Sequence, residues 1–168
     1  MKKLLALFVV VLGFTAVSFG QTNTATSNAS ANILGALKIE NKVELNFGTV
    51  GAKTVATIVK MAVDGSRAGS TADLVAIGLG AAGEFDINGN PSATFSLTLP
   101  TGVTLLKKAG GADMSINAAD WVTDLGGTTG TLDAVGYLKL KVGATLQVNA
   151  NQSTGAYTGP FDVTVNYN

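Results

Sequence analysis

The stretch LKLKVGATLQV at residues 138–148 decides the class of fold. Its first apolar residues alternate with Lys139 and Lys141, so an extended chain carries one apolar face and one charged face. A helical period would instead place apolar residues three or four positions apart. The same alternation continues at Leu146 and Val148. The stretch therefore predicts a β-strand that rests one face on a hydrophobic core.

Alternation with a period of two recurs along most of the chain. The apolar stripes fall at residues 33–39, 43–47, 55–63, 85–87, 95–99, 103–106, 114–116, 138–148 and 161–167. Turn-forming clusters of Gly, Asn, Asp and Pro separate them. About eight to ten short strands follow from this pattern, which predicts an all-β fold, an Ig-like antiparallel β-sandwich. The pair Asn88-Gly89 is a strong hairpin signal, so we expect the stripes on either side of it to form a β-hairpin.

The composition excludes several kinds of active site. The chain has 168 residues, with no cysteine and no histidine. It can build no Ser-His or Cys-His nucleophile pair, no thiolate site and no imidazole metal site. Lys and Arg together number 11, as do Asp and Glu, so no basic field attracts nucleic acid. We therefore expect a non-catalytic protein without a cofactor, a metal or a nucleic-acid partner.

The first twenty residues have the form of a secretory signal peptide. Lys2 and Lys3 precede an apolar run, and Ser18 and Gly20 place small residues at −3 and −1 of a cleavage site before Gln21. The run is too short for a membrane-spanning helix, and no second apolar segment approaches spanning length. We predict cleavage after residue 20 and a secreted protein, located in the periplasm, on the outer surface or outside the cell.

A polar leader separates the signal peptide from the predicted domain. Residues 21–30 are mostly Thr, Ser and Asn, with no large apolar side chain. We expect a flexible leader over residues 21–30 and the β-sandwich domain over residues 31–168.

Several separated sequence blocks resemble a known bacterial family. The blocks are LNFGT at 45–49, DGSR at 64–67, NPSATFSLTLPTGVTL at 90–105, GTLDAVG at 130–136, VGATLQVNANQ at 142–152 and GAYTGPFDVTVNY at 155–167. In this order they resemble the secreted family called domain of unknown function 4402, from about residue 31 onward. The resemblance implies a β fold and export, and it implies no activity.

The C-terminus resembles the last strand of chaperone-usher pilin subunits. Tyr167 is next to last, Val165, Val163 and Phe161 are fourth, sixth and eighth from the end, and Gly155 is fourteenth. In pilins this strand is the edge that a periplasmic chaperone, and later a neighbouring subunit, completes by strand addition.

The chain differs from chaperone-usher pilins in two respects. Pilins usually carry a disulfide, which this chain cannot form, and their N-terminal extension alternates bulky apolar residues, which residues 21–30 lack. An alternating terminal strand is also what any sandwich core requires. We therefore expect a self-complete domain that folds alone and has no open groove.

A second candidate site surrounds the single tryptophan. Asp120 and Asp124 flank Trp121 in a glycine-rich loop, where a sugar ring could stack on the indole between two carboxylates. The same sequence pattern also fits a buried aromatic residue whose neighbours in the loop are polar, with no ligand involved.

The predicted function is a secreted structural or adhesive module at a bacterial cell surface, of which a pilin-like subunit is one form. The alternative is a soluble module that binds polysaccharide through Trp121.

Overall fold

A computed structural model describes residue 20, residues 22–69 and residues 79–168. The predicted signal peptide up to residue 19 lies outside the described residues, and so does the short apolar stretch LVAI at residues 74–77 of the sequence. The chain divides into two compact units, Met1–Asn32 and Ile33–Asn168. In the first unit, residues 22–32 are exposed and form no helix or strand. The second unit contains all the β structure described below.

The second unit is an antiparallel β-sandwich, as predicted. Eleven strands are present in the described residues: β1 (Lys38–Val43), β2 (Thr57–Met61), β3 (Arg67–Gly69), β4 (Gly83–Asn88), β5 (Thr94–Thr98), β6 (Thr104–Leu106), β7 (Met114–Ile116), β8 (Trp121–Thr123), β9 (Thr129–Thr131), β10 (Tyr137–Val148) and β11 (Thr164–Tyr167). One turn of 3-10 helix, Ala118–Asp120, precedes β8. No helix among the described residues is long and apolar enough to cross a membrane.

The strands form two sheets. The larger sheet has the order β1-β4-β10-β2-β3, with β7 and β8 also paired to β10 and β6 paired to β7. The smaller sheet has the order β11-β5-β9. Between the sheets lie large side chains without solvent exposure, among them Ile87 of β4, Phe95 of β5 and Leu140 of β10. The C-terminal strand is therefore an edge of the smaller sheet, and β1 is an edge of the larger one.

Strand β10 is the centre of the larger sheet. Its first half, residues 137–142, pairs with β4, and its second half, residues 144–148, pairs with β2. On the opposite edge its middle residues pair with β8, where Gly143 faces Val122. A side chain on Gly143 would overlap with the carbonyl oxygen of Met61, so a glycine is required here for the strands to approach.

The predicted hairpin at Asn88-Gly89 is wrong. Strand β4 belongs to the larger sheet and β5 to the smaller one, so the connection crosses between the sheets. Within the connection, Ala93 N donates to Asn90 O at 3.2 Å, but Gly89 N donates to Gly136 O and Ser92 N donates to Asp133 O, both at 2.9 Å. These long-range bonds replace the local turn that the dipeptide favours.

Candidate functional site

An open groove with a volume of about 1230 Å³ lies between two segments of the chain. One wall is residues 44–52, and the other is residues 152–161. Its floor consists of apolar side chains that also belong to the core or pack against it: Phe85, Leu106, Met114, Ile116, Leu146 and Val148. Four of these side chains, those of Phe85, Ile116, Leu146 and Val148, are each at most 8% exposed, so most of the floor is buried. The expected self-complete domain stays a prediction.

The first wall is a segment of chain that has left the sheet. Strand β1 ends at Val43, and between β1 and β2 the segment makes isolated pairings. Asn46 bridges to Ala81, Val50 lies in another bridge, and Lys53 O accepts from Asn151 N at 2.6 Å. Arg67 holds the segment from β3, because its Nη1 donates to the carbonyl oxygens of Phe47 and Thr49, each at 2.9 Å. The wall thus has a fixed position while much of its backbone lies outside any ladder.

A buried glutamine fixes the second wall. Gln152 Nε2 donates to the Tyr157 hydroxyl at 2.8 Å and to the carbonyl oxygen of Ala112, and its Oε1 accepts from Asn149 Nδ2 at 3.1 Å. The Tyr157 hydroxyl donates in turn to Ser153 O at 2.8 Å. Hydrogen bonding with the Ser153 side chain lowers the pKa of Tyr157 below its usual value. This network makes the turn before the C-terminal strand rigid.

The C-terminal segment follows the second wall and alternates as predicted. Odd-numbered residues from 157 to 167 are half-buried, and even-numbered ones are exposed. Strand β11 pairs with β5 along one edge, and within the described residues no strand pairs with its other edge. The five residues of the pilin-like pattern therefore lie along one extended segment at the rim of the domain.

Each residue of that pattern has an identifiable position. Gly155 and Phe161 line the groove, and Val163 and Val165 pack against the core. At the other end of β11, the Tyr167 hydroxyl accepts a hydrogen bond from Asn90 N at 2.8 Å. The structure thus places the start of the pattern in the groove and its end at the β4–β5 connection.

Phe161 links the groove to the single tryptophan. The centroid of its ring lies 4.6 Å from that of the Trp121 ring. It lies 6.2 Å from the centroid of the Phe85 ring, which it meets edge to face. Trp121 is only 7% exposed, and its Nε1 has no hydrogen-bond partner in the described part of the chain. The indole is therefore a buried core residue that contacts the groove through Phe161.

Both aspartates beside Trp121 bind to the protein itself. Asp120 Oδ2 accepts from Asn117 Nδ2 at 2.8 Å and from Gln147 Nε2 at 3.2 Å. Asp124 Oδ1 accepts from the backbone N–H of Lys141 at 3.0 Å. These bonds hold the ends of β8 against β10. Polysaccharide binding by this trio stays a prediction.

Charged side chains concentrate on the outer face of the larger sheet. Lys139 pairs with Glu84 at 3.0 Å, and the Tyr137 hydroxyl donates to Asp86 Oδ1 at 2.7 Å, which raises the pKa of Tyr137. Among the described residues that line the groove, by contrast, Glu44 is the only one charged at neutral pH. The groove therefore offers an almost uncharged surface, with a largely apolar floor and polar side chains such as Asn46 and Tyr157 in its walls.

Sequence reasoning missed the first wall of the groove. The signal that could have revealed it is the interval of thirteen residues between β1 and β2, where Gly48 and Gly51 interrupt the alternation. The stripes at 43–47 and 55–63 had instead suggested continuous strands.

A family described as Domain of unknown function (DUF4402) matches residues 37–167. The chain belongs to this family. The DUF4402 region runs from the start of β1 to the end of β11 and contains both walls of the groove, whereas residues 22–36 precede it. The comparison with curated proteins gave no match, and neither did the comparison with solved structures. The family resemblance seen in the sequence is thereby confirmed, and the pilin-like role stays a prediction.

Proposed function

We propose that this DUF4402 protein is a secreted, non-catalytic structural or adhesive module at a bacterial cell surface, which joins its neighbours by accepting an extended chain segment in the open groove. The observation that carries the proposal is the groove itself, whose floor is core side chains and whose walls are two ordered chain segments. A pilin-like subunit, completed by another surface subunit or by a periplasmic chaperone, has these properties.

The size and lining of the groove favour a polypeptide occupant. Pockets for small molecules usually measure about 300–1,000 Å³ and place a few convergent polar groups among apolar ones. This groove is larger, at about 1230 Å³, and its floor is apolar apart from Thr104. An extended segment added beside existing chain gains backbone hydrogen bonds from the walls and buries alternate side chains on the floor.

The C-terminal edge supports the same mode of binding. An unpaired edge strand presents a row of free N–H and C=O groups, which sandwich proteins usually cover or protect. Among the described residues no strand pairs with the outer edge of β11, and the half-buried Phe161, Val163 and Val165 lie along the same segment. A strand placed next to this segment would complete both the hydrogen bonding and the burial.

The chemistry of the groove supports a role without catalysis. General acid–base catalysis needs titratable groups within reach of a substrate. Glu44 is the one carboxylate among the described lining residues, and no basic side chain accompanies it there. The lining suits burial of apolar surface better than proton transfer.

Filling the groove with a side chain tests the proposal. Ala156 lines the groove and is exposed, so Ala156→Trp should occupy the groove without disturbing the core. We expect the share of exported protein found in assemblies to fall at least tenfold, as measured by sedimentation velocity. Ala134→Trp is the matched control, because Ala134 is exposed in the turn before β10 and does not line the groove.

The outcomes separate the candidate functions. Unchanged assemblies in Ala156→Trp, with a urea midpoint equal to that of the parent, would contradict the proposal. A protein that is monomeric in every variant and is retained on a polysaccharide column would favour the carbohydrate-binding alternative.

A further inference from the structure

We propose that Asn88 is a site of spontaneous deamidation in the unfolded chain and that folding protects it, so that chains modified before they fold are excluded from the native structure. Asn88-Gly89 is the one Asn-Gly pair in the sequence, and the hairpin that this pair favours does not form. The local turn preference of the pair therefore plays no part in the folded domain, whereas its chemical reactivity remains.

Deamidation at an Asn-Gly pair uses only atoms of the chain and water. The backbone nitrogen of Gly89 loses its proton and attacks Cγ of the Asn88 side chain, and ammonia leaves as the Cγ–Nδ2 bond breaks. Water then opens the cyclic succinimide that results. Addition of water at Cγ gives aspartate, whereas addition at the backbone carbonyl carbon gives isoaspartate, in which the main chain continues through the former side chain. Glycine favours the first step because it places no side chain beside the attacking nitrogen.

The folded domain holds the attacking nitrogen away from the side chain. Gly89 N donates to Gly136 O at 2.9 Å, so its proton is engaged in a hydrogen bond. Asn88 pairs with Lys38 of β1 on one side and with Tyr137 of β10 on the other, which fixes its backbone in the sheet. Attack on Cγ requires a backbone rotation at Asn88 that would disrupt both pairings. Reaction in the folded state is therefore limited to local openings of the sheet.

The β4–β5 connection has no room for the isoaspartate product. A Cβ on Gly89 would overlap with the Tyr167 hydroxyl and would lie 2.9 Å from methyl carbons of Leu37 and Leu132. Isoaspartate adds one methylene group to the main chain directly before this crowded glycine. The addition would move Gly89 N away from Gly136 O. A chain that has reacted while unfolded therefore cannot restore this connection.

Two further hydrogen bonds depend on the position of the next residue. Gly35 N donates to Asn90 Oδ1 at 2.7 Å, and Asn90 N donates to the Tyr167 hydroxyl at 2.8 Å. These bonds join the segment before β1, the β4–β5 connection and the end of β11. A displaced connection would disturb all three, so one modified residue affects elements of both sheets.

Conversion to aspartate, which leaves the main chain unchanged, is expected to be tolerated. Asn88 is exposed at the end of β4, and its cross-strand neighbour Lys38 carries the charge opposite to that of the new carboxylate. Asn88→Asp is therefore the matched control, because it introduces the negative charge without the added methylene group.

Peptide mass spectrometry of the full chain tests the protection by folding. The protein is kept at mildly alkaline pH, once in native buffer and once in guanidinium chloride, and asparagine, aspartate and isoaspartate at position 88 are followed with time. We expect conversion of Asn88 to be at least about a hundredfold slower in native buffer. Asn90 is an internal control, because Pro91 has no N–H and should leave Asn90 almost unconverted in both samples.

Refolding of the reacted sample tests the exclusion from the native structure. After dilution of the denaturant, chains with isoaspartate at position 88 should be depleted at least tenfold from the protease-resistant fraction, whereas Asn88→Asp should refold as completely as the parent. Equal conversion rates in native buffer and in denaturant would overturn the protection. Isoaspartate chains that refold like unmodified ones would overturn the exclusion, and so would failure of Asn88→Asp to refold, since charge alone would then account for it. None of these outcomes bears on the function proposed for the groove.

Discussion

Replacing Gly143 with alanine is expected to destabilise the sandwich by about 3 kcal/mol or more. The new Cβ would overlap with the carbonyl oxygen of Met61, a backbone atom that cannot move without shifting β2. It would also lie 3.1 Å from a Val122 methyl carbon in β8. A shift of β10 away from β2 would relieve the overlap with Met61 but would press the new methyl group against Val122 of β8. Urea unfolding of the full chain, followed by circular dichroism, measures the loss.

Gly102→Ala is the matched control for that experiment. No heavy atom lies within 4 Å of the Cβ that this alanine would carry, so its free energy of unfolding should change by less than about 0.5 kcal/mol. Equal midpoints for the two variants would show that β10 does not run between β2 and β8 as described.

Replacing Val165 with aspartate is expected to cost about 2–3 kcal/mol, because a carboxylate would face the core from a half-buried position. Val165 pairs with Leu97, whose side chain is in the core, so the new charge has an apolar surrounding on its inner side. Thermal unfolding at neutral pH measures the effect.

The neighbouring Thr164→Asp variant is the control, since Thr164 is exposed on the other face of β11. It should unfold within a few degrees of the parent. If Thr164→Asp were as destabilising as Val165→Asp, the assigned faces of the C-terminal strand would be wrong.

Alternation of side chains was enough to predict the strands because it is a local property. Residues 161–167 alternate in the sequence, and the same residues alternate between half-buried and exposed in the structure. The turn at Asp64 was also readable, since Gly65 has φ of 83° and Ser66 N donates to the Asp64 carboxylate. Bonding to Ser66 lowers the pKa of Asp64, as expected for a carboxylate that accepts hydrogen bonds in a turn.

The arrangement of strands could not be predicted in the same way, because it depends on contacts between distant residues. Asn88-Gly89 favours a hairpin locally, yet bonds to Asp133 and Gly136 direct the chain into the other sheet. The groove was missed for the same reason, as no local pattern shows that residues 44–52 lie opposite residues 152–161. Whether Trp121 is exposed or buried could not be predicted either, since its ring packs against Phe161, forty residues away along the chain.

The link from Gly35 through Asn90 to Tyr167 determines how the domain bears a mechanical load. It fixes the chain at one end of β1, while Arg67 fixes the segment beyond the other end. A pull on the chain before Gly35, with the rest of the domain held at the far end, runs lengthwise along β1 and against β4. Ladder bonds in an antiparallel pair lie perpendicular to the strands. The bonds between β1 and β4 would then be sheared together instead of opening one after another. Under tension applied in this direction, β1 and β4 act as a clamp that yields only when all of its bonds fail at once.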